Sequence, residues 1–255
     1  LSFQIKISAL IMIPYSNIIC FDLETAPAYP SLSEAPQKVQ ELWTRKHEQC
    51  FAEDYASPEE SYTDRSALFA DRGFGQIVCA VTGFMDEKNA KYHTKKIVGS
   101  EADIVRELVS IVKRLMQGKK DDPTGVWLLG HNMKGFDLPY LSRRSFILNM
   151  PRLPQTPKQD DKPWTVKVLD TQDMWAFGNI RDSFVTLDQL CYNLGIESPK
   201  TNMDGSQVGQ AYWDGRIEEI AAYCEQDVIA AYCEQDVIAT MKCYQRLSGM
   251  QVWEQ

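Results

Sequence analysis

The chain has 255 residues, 44% of them hydrophobic, enough to bury one sizeable core, so one domain, or one domain with insertions, is predicted. A formal net charge of −8 excludes a protein that holds nucleic acid through a broad basic surface. It does not exclude one that grips a chain end through metal ions, because bound cations reverse the local sign. The seven cysteines (positions 20, 50, 79, 191, 224, 233 and 243) are odd in number and contain no C-x-x-C pair. They fit a reduced, cytoplasmic protein rather than a disulfide scaffold or a zinc site.

Residues 1–14 are apolar with one lysine and lack a small-residue cleavage pattern. They read as a dispensable tail or an added edge strand ahead of a domain over 15–255, with Met12 a candidate start. No apolar run reaches the ~18 residues of a membrane span, so no membrane partner is expected.

Ile18-Ile19-Cys20-Phe21 reads as a buried strand that runs into Asp22-Leu23-Glu24-Thr25. Residues i and i+2 of a strand share a face, so Asp22 and Glu24 aim together, about 6–7 Å apart along the chain. Two carboxylates so placed repel unless a cation sits between them, and hard oxygen donors suit Mg2+ or Mn2+. Alone, Asp-x-Glu describes solvated strand-end acids equally well.

Residues 26–75 carry prolines at 27, 30, 36 and 58 and are too long for a plain connection. They read as a helical insertion near the mouth of the site. A helix is predicted over Ala35 to Cys50, and Ser57-Pro58-Glu59-Glu60 has the serine cap and N1 proline of a second helix start. Strands follow at 75–84 and 91–98, then a helix opened by Ser100 with Ile104, Leu108, Ile111, Val112 and Leu115 on one face. A further strand is expected at 126–129. Strands alternating with helices predict an α/β layer architecture.

That last strand leads into Gly130-His131-Asn132-Met133-Lys134-Gly135-Phe136-Asp137, with a helix expected to begin near Asp137 or Leu138. Asp137 thus sits at a strand-to-helix junction, where acids also serve as plain N-caps. A proline-rich loop over 151–164, a strand from Thr165 to Leu169 and a helix from Ser183 to Leu194 ended by Gly195 come next. Asp170 and Asp173 read as solvated strand-end acids in preference to groups that assist metal binding, and His131 as a hydrogen-bonded loop residue rather than a base. The Lys95-Lys96, Lys119-Lys120 and Arg143-Arg144 pairs read as solvated faces, implying weak, salt-sensitive binding of nucleic acid.

Residues 222–239 are two perfect copies of Ala-Tyr-Cys-Glu-Gln-Asp-Val-Ile-Ala in tandem. Nine residues of α-helix advance about 13.5 Å and turn about 180°, so one unbroken helix cannot present both Asp227 and Asp236 to one site. Period and copy number exclude a solenoid.

Taken together, Phe21-Asp22-Leu23-Glu24-Thr25, Asn132-x-x-x-Phe136-Asp137 and Tyr-x-x-x-Asp (Tyr223/Asp227 or Tyr232/Asp236) resemble the three exonuclease motifs of the DEDD superfamily, tyrosine-bearing branch. The chain is most similar to stand-alone exonucleases related to the proofreading domain of family B DNA polymerases. The stretches 194–200 and 203–208 also look like that group. The resemblance implies an RNase H-like α/β/α fold with a mixed central sheet. It implies 3′–5′ hydrolysis with two Mg2+ or Mn2+ ions at the 3′ end of nucleic acid, in the first instance single-stranded DNA, releasing nucleoside 5′-monophosphates.

Under it, Asp22 bridges both ions, Glu24 and the third-motif aspartate complete the water-activating site, and Asp137 holds the second ion. The tyrosine orients the water. Leu23, Thr25, Asn132 and Phe136 are substrate-side positions, with Asn132 also fixing the loop that carries Asp137. Asp227 is favoured as the working copy, because lengthening a terminal helix costs little whereas the other choice must loop nine residues out. An RNase D-like exoribonuclease and an end-binding module impaired by the duplication are the alternatives. A replication or repair partner is left open.

Overall fold

A computed structural model describes residues 13–156, 166–179, 184–198, 208–216 and 221–254, with side chains throughout except at 215–216 and 221–229. The tail over 1–12, the 157–165 part of the proline-rich loop, the expected helix start at Ser183 and the 199–207 stretch lie outside the described residues.

Strand β1 (Ile18–Pro27) is the centre of a mixed five-stranded sheet. The helical insertion after it contains α1 (Gln37–Cys50) and α2 (Pro58–Arg65). Ser57 caps α2 by accepting from the Glu60 amide, with proline at the first helical position, as the sequence predicts. The insertion has its own small core: Trp43 is fully buried among Tyr62, Phe74 and Val39, and its indole N–H donates to the Pro58 carbonyl.

The chain returns as the hairpin β2 (Gly75–Asp86) and β3 (Lys91–Val98). Then come α3 (Glu101–Gly118), β4 (Trp127–Gly130), α4 (Asp137–Ile147), β5 (Val168–Asp170) and α5 (Thr171–Ala176). Three further helices are α6 (Leu187–Leu194), α7 (Val208–Arg216) and α8 (Ala221–Leu247). The α6 start at Leu187, later than Ser183, has a local cause. Thr186 and Gln189 form a reciprocal capping box that fixes the first turn there.

Strand order is β3-β2-β1-β4-β5; β1 pairs antiparallel with β2 and parallel with β4, and β5 continues the parallel half. This is an RNase H-like α/β/α arrangement. The period-2 alternation of β1 divides its residues between two cores. Ile19, Phe21 and Leu23 pack with α3 and α4, through residues such as Ile104, Leu108 and Leu141. Ile18, Cys20 and Ala26 face α7 and α8. Each fully buried aliphatic side chain contributes about 1.5–3 kcal/mol.

Two contacts fix the layers. Arg144 of α4 makes a buried two-pronged pair with Glu101 at the start of α3 (2.7 and 2.6 Å), and Glu101 also accepts from the Ile77 amide of β2. On the other face, Gly83 of β2 lets α8 approach closely: a Cβ there would lie 2.5 Å from Val237 and 2.9 Å from Met241. Between the insertion and α7 runs a groove of about 980 Å3, lined by Glu34, Tyr55, Glu60, Asp64 and Asp214, with Trp213 tied to the Pro27 carbonyl at the end of β1. Among the described residues all six cysteines are free, and no helix is long and apolar enough to cross a membrane.

Candidate active site

The site forms midway along β1, just past the point where the shorter β4 ends beside it. Because Asp22 and Glu24 lie two apart on β1, they share the face that looks toward α8. Asp22 is partly exposed and Glu24 is buried. The β1–β2 register shifts immediately after Glu24, between Glu24 and Thr25, an irregularity of the kind that re-aims side chains beside functional sites.

Asp137 arrives from β4 through the loop 131–136. It is the first residue of α4, not its cap; Phe136 holds the cap position and makes no side-chain cap bond. The carboxylate instead accepts from the Leu23 amide (3.2 Å), the residue between the two β1 acids, and is only 3% exposed. The plain N-cap reading of this aspartate therefore gives way to a link across the sheet.

The loop is shaped for that link. Asn132 adopts the left-handed conformation (φ +56°), its carbonyl accepts from the Gly135 and Phe136 amides, and a Cβ at Gly135 would lie 2.3 Å from Asn132 Oδ1. Asp170 closes the loop from β5. It is not solvated but buried (3% exposed), and it accepts from the Asn132 and Lys134 amides at 2.9 Å each and from Gln172. Sequence reasoning missed this; the available signal was an acid ending the strand next to β4. Asp173 pairs with Lys134 (2.8 Å). His131 is held between Thr171 and the Val185 carbonyl, 2.9 Å each, as a hydrogen-bonded loop residue. Of the basic pairs, Arg144 is consumed by Glu101, Lys95 meets Glu107 and Lys96 meets Glu234.

The fourth carboxylate beside β1 is Asp236. Asp22 is its principal charged neighbour, the Tyr232 hydroxyl hydrogen-bonds it, and it also acts electrostatically on Glu24. The sequence reading favoured Asp227; the side chains of Tyr223 and Asp227 lie outside the described residues. Since α8 is one helix over Ala221–Leu247, Asp227 is set about 13.5 Å back and half a turn round from Asp236.

The flank explains the register. Met241, Cys243, Tyr244 and Gln245 are all buried. Moving α8 by one copy would put Glu234 in the place of Cys243 and Asp236 in that of Gln245. Burying two unpaired carboxylates costs far more than accommodating extra residues upstream.

The electrostatics are those of crowded acids. Burial is the main cause at each: it raises Asp22 to about 6 and Asp236 to about 8, with the Asp22 charge adding at Asp236. Glu24 and Asp137 are pushed well above the carboxylate range by burial and then by Asp22. Cys233, one residue after Tyr232, donates to Asp22 Oδ2 at 3.3 Å. Among the described residues, the donor atoms of Asp22, Glu24 and Cys233 lie within 4.8 Å of one another and form the one cluster suited to a metal ion. Buried acids that resist ionisation together fit a divalent cation, whose charge would offset theirs.

Of the proposed substrate-side positions, Leu23 and Thr25 are buried. The Tyr140 hydroxyl donates to the Ala67 carbonyl (3.0 Å), and Phe136 is partly buried with its ring 5.3 Å from that of Tyr140.

A family model described as "Predicted 3'-5' exonuclease related to the exonuclease domain of PolB" matches residues 69–233. No curated protein matches the chain. The matched segment includes the whole first copy of the repeat and stops three residues short of Asp236. Identical copies give a sequence comparison two equivalent places for one motif, whereas packing distinguishes them.

Proposed function

Since the chain belongs to the family of predicted 3′–5′ exonucleases related to the exonuclease domain of PolB, we propose that it is a metal-dependent enzyme that removes nucleoside 5′-monophosphates from the 3′ end of single-stranded DNA. The observation that carries the reading is the convergence of four acids from three elements, Asp22 and Glu24, Asp137, and Asp236, with each held above its ordinary pKa by burial. Two divalent cations, Mg2+ or Mn2+, bound there would lower the pKa of an attacking water and neutralise charge on the leaving 3′ oxygen.

The residues have distinct tasks. Asp22, central to the cluster, would help hold both cations. Glu24 and Asp236 would help hold the cation that activates water, and Asp137, anchored by the Leu23 amide, would help hold the one that neutralises the leaving group. Tyr232, hydrogen-bonded to Asp236, orients the water; a phenol is a poor base at neutral pH, so positioning is its role. Asn132 and Phe136 shape the loop that carries Asp137. The free cysteines fit a reducing compartment such as the cytoplasm.

The test is release of mononucleotides from a 3′-labelled single strand in Mg2+ or Mn2+, with a ribose-ended strand beside it. Asp22→Ala and Asp236→Ala are expected to abolish release while Asp227→Ala retains it. Release insensitive to chelation, or cuts made first within the strand, would refute the assignment. Faster release from the ribose-ended strand would move the substrate to RNA.

A further inference from the structure

One group in the site has no task in this reaction, the Cys233 thiol. It is fully buried, lies 3.3 Å from Asp22 Oδ2 and 3.6 Å from the Asp22 carbonyl, and reaches Glu24 within the same 4.8 Å cluster. Glu24 is 8% exposed, and among the described residues its carboxylate has no hydrogen-bond partner. An unpartnered buried carboxylate next to a carboxylate–thiol contact is a donor set of two oxygens and one sulfur.

We propose that Asp22, Glu24 and Cys233 form a capture site for a thiophilic divalent cation of the Zn2+ or Cd2+ kind, and that capture switches the nuclease off. The second half rests on the exonuclease reading. Donors around one zinc ion, at about 2.0–2.2 Å for oxygen and 2.3 Å for sulfur, lie about 3.5 Å apart, close to the Asp22–Cys233 spacing already present. Glu24 needs only a side-chain rotation to join them. On binding, the Cys233 S–H proton leaves to solvent as the sulfur–metal bond forms, and no electron is transferred.

Mg2+ takes oxygen donors and leaves the sulfur unused, so the thiol discriminates between the two classes of ion. A captured ion withholds Asp22 and Glu24 from the productive cations. Because the cysteine is part of the tyrosine motif's helix turn, the same contact that seats α8 on β1 supplies the third donor.

Co2+ is the probe, because its bond to sulfur gives a near-ultraviolet charge-transfer band. Titrating the metal-free full chain should give this band at one ion per chain. Cys233→Ser should lose it, Cys50→Ser, at an exposed cysteine, should keep it, and Zn2+ should displace it. Zn2+ should also inhibit Mn2+-supported cleavage at about tenfold or more lower concentration in the wild type than in Cys233→Ser. No band in the wild type, or a band that survives Cys233→Ser, overturns the site. If Cys233→Ser does not fold by circular dichroism, Glu24→Gln carries the same test, since removing a carboxylate donor should also abolish the band. A band without any nuclease activity would sustain the metal site and sink the exonuclease reading, so the two fail separately.

Discussion

Replacing Asp236 by asparagine should stabilise the metal-free protein while removing its response to divalent metal. Burial, with Asp22 as the second cause, pushes Asp236 from 3.8 up to about 8. Between those values the native chain holds a proton that the unfolded chain has lost. Stability of the metal-free protein therefore falls as pH rises from 3.8 toward about 8, and is flat above. Roughly three units separate 3.8 from neutral pH, which would be about 4 kcal/mol if Asp236 titrated alone. Asp22, itself raised to about 6, shares the repulsion, so about 2 kcal/mol is the working figure. For a chain of this size that corresponds to about 4–8 °C in Tm.

Calorimetry in chelator near pH 5 and pH 8 reads it directly. The wild-type Tm should drop between the two, and Asp236→Asn should drop less and melt higher near pH 8. Added Mn2+ should raise the wild type and leave the variant nearly unmoved, while Asp227→Asn behaves as wild type. Asp236→Asn melting below wild type near pH 8 in chelator, or Asp227→Asn showing the gain instead, would refute the register and the electrostatics together.

The same acids set a pH dependence for catalysis. At limiting Mn2+ the rate should climb through the window between the values of about 6 and about 8 for Asp22 and Asp236, and saturating metal should shift that limb to lower pH; a flat profile at both concentrations would remove proton–metal competition. Arg144→Met leaves Glu101 buried without its partner and should cost about 3–5 kcal/mol in urea unfolding, with the folded fraction as active per molecule as wild type. Asp170→Ala frees the loop that presents Asp137 and should raise the Mn2+ concentration needed for half-maximal rate by about 10–100-fold, with Asp170→Asn intermediate; an effect on Tm alone would make Asp170 purely structural.

Much of the fold was legible because its signals are local. The buried run Ile18–Phe21, the capped starts at Ser57 and Ser100, and the glycine stop at Gly195 each depend on neighbouring residues, and each element formed within a few positions of its expected bounds. What the sequence could not supply were contacts between distant segments. Asp170 looks like any strand-end acid until β5 lies beside β4 and its carboxylate meets the Asn132 and Lys134 amides. The preference for Asp227 over Asp236 weighed only the length of a terminal helix. A second cost lies downstream, where Cys243 and Gln245 are buried and a shift by one copy would bring Glu234 and Asp236 into their places. Cys233 was invisible as a site residue because its role depends on the face of α8 that meets Asp22.

The groove beside the insertion has the wrong sign for the polymer this enzyme would act on. Glu34, Glu60, Asp64 and Asp214 surround it, close to where β1 ends. Each phosphate passing within about 8 Å of one such acid meets about 0.5 kcal/mol of repulsion in water, and several acids act at once. This flank is thus a fence rather than a track: its acids disfavour a strand laid along it and favour approach from another side. Added salt lowers a fence of this kind within about a Debye length. Association measured from very low salt upward should first quicken before the ordinary weakening of phosphate contacts takes over.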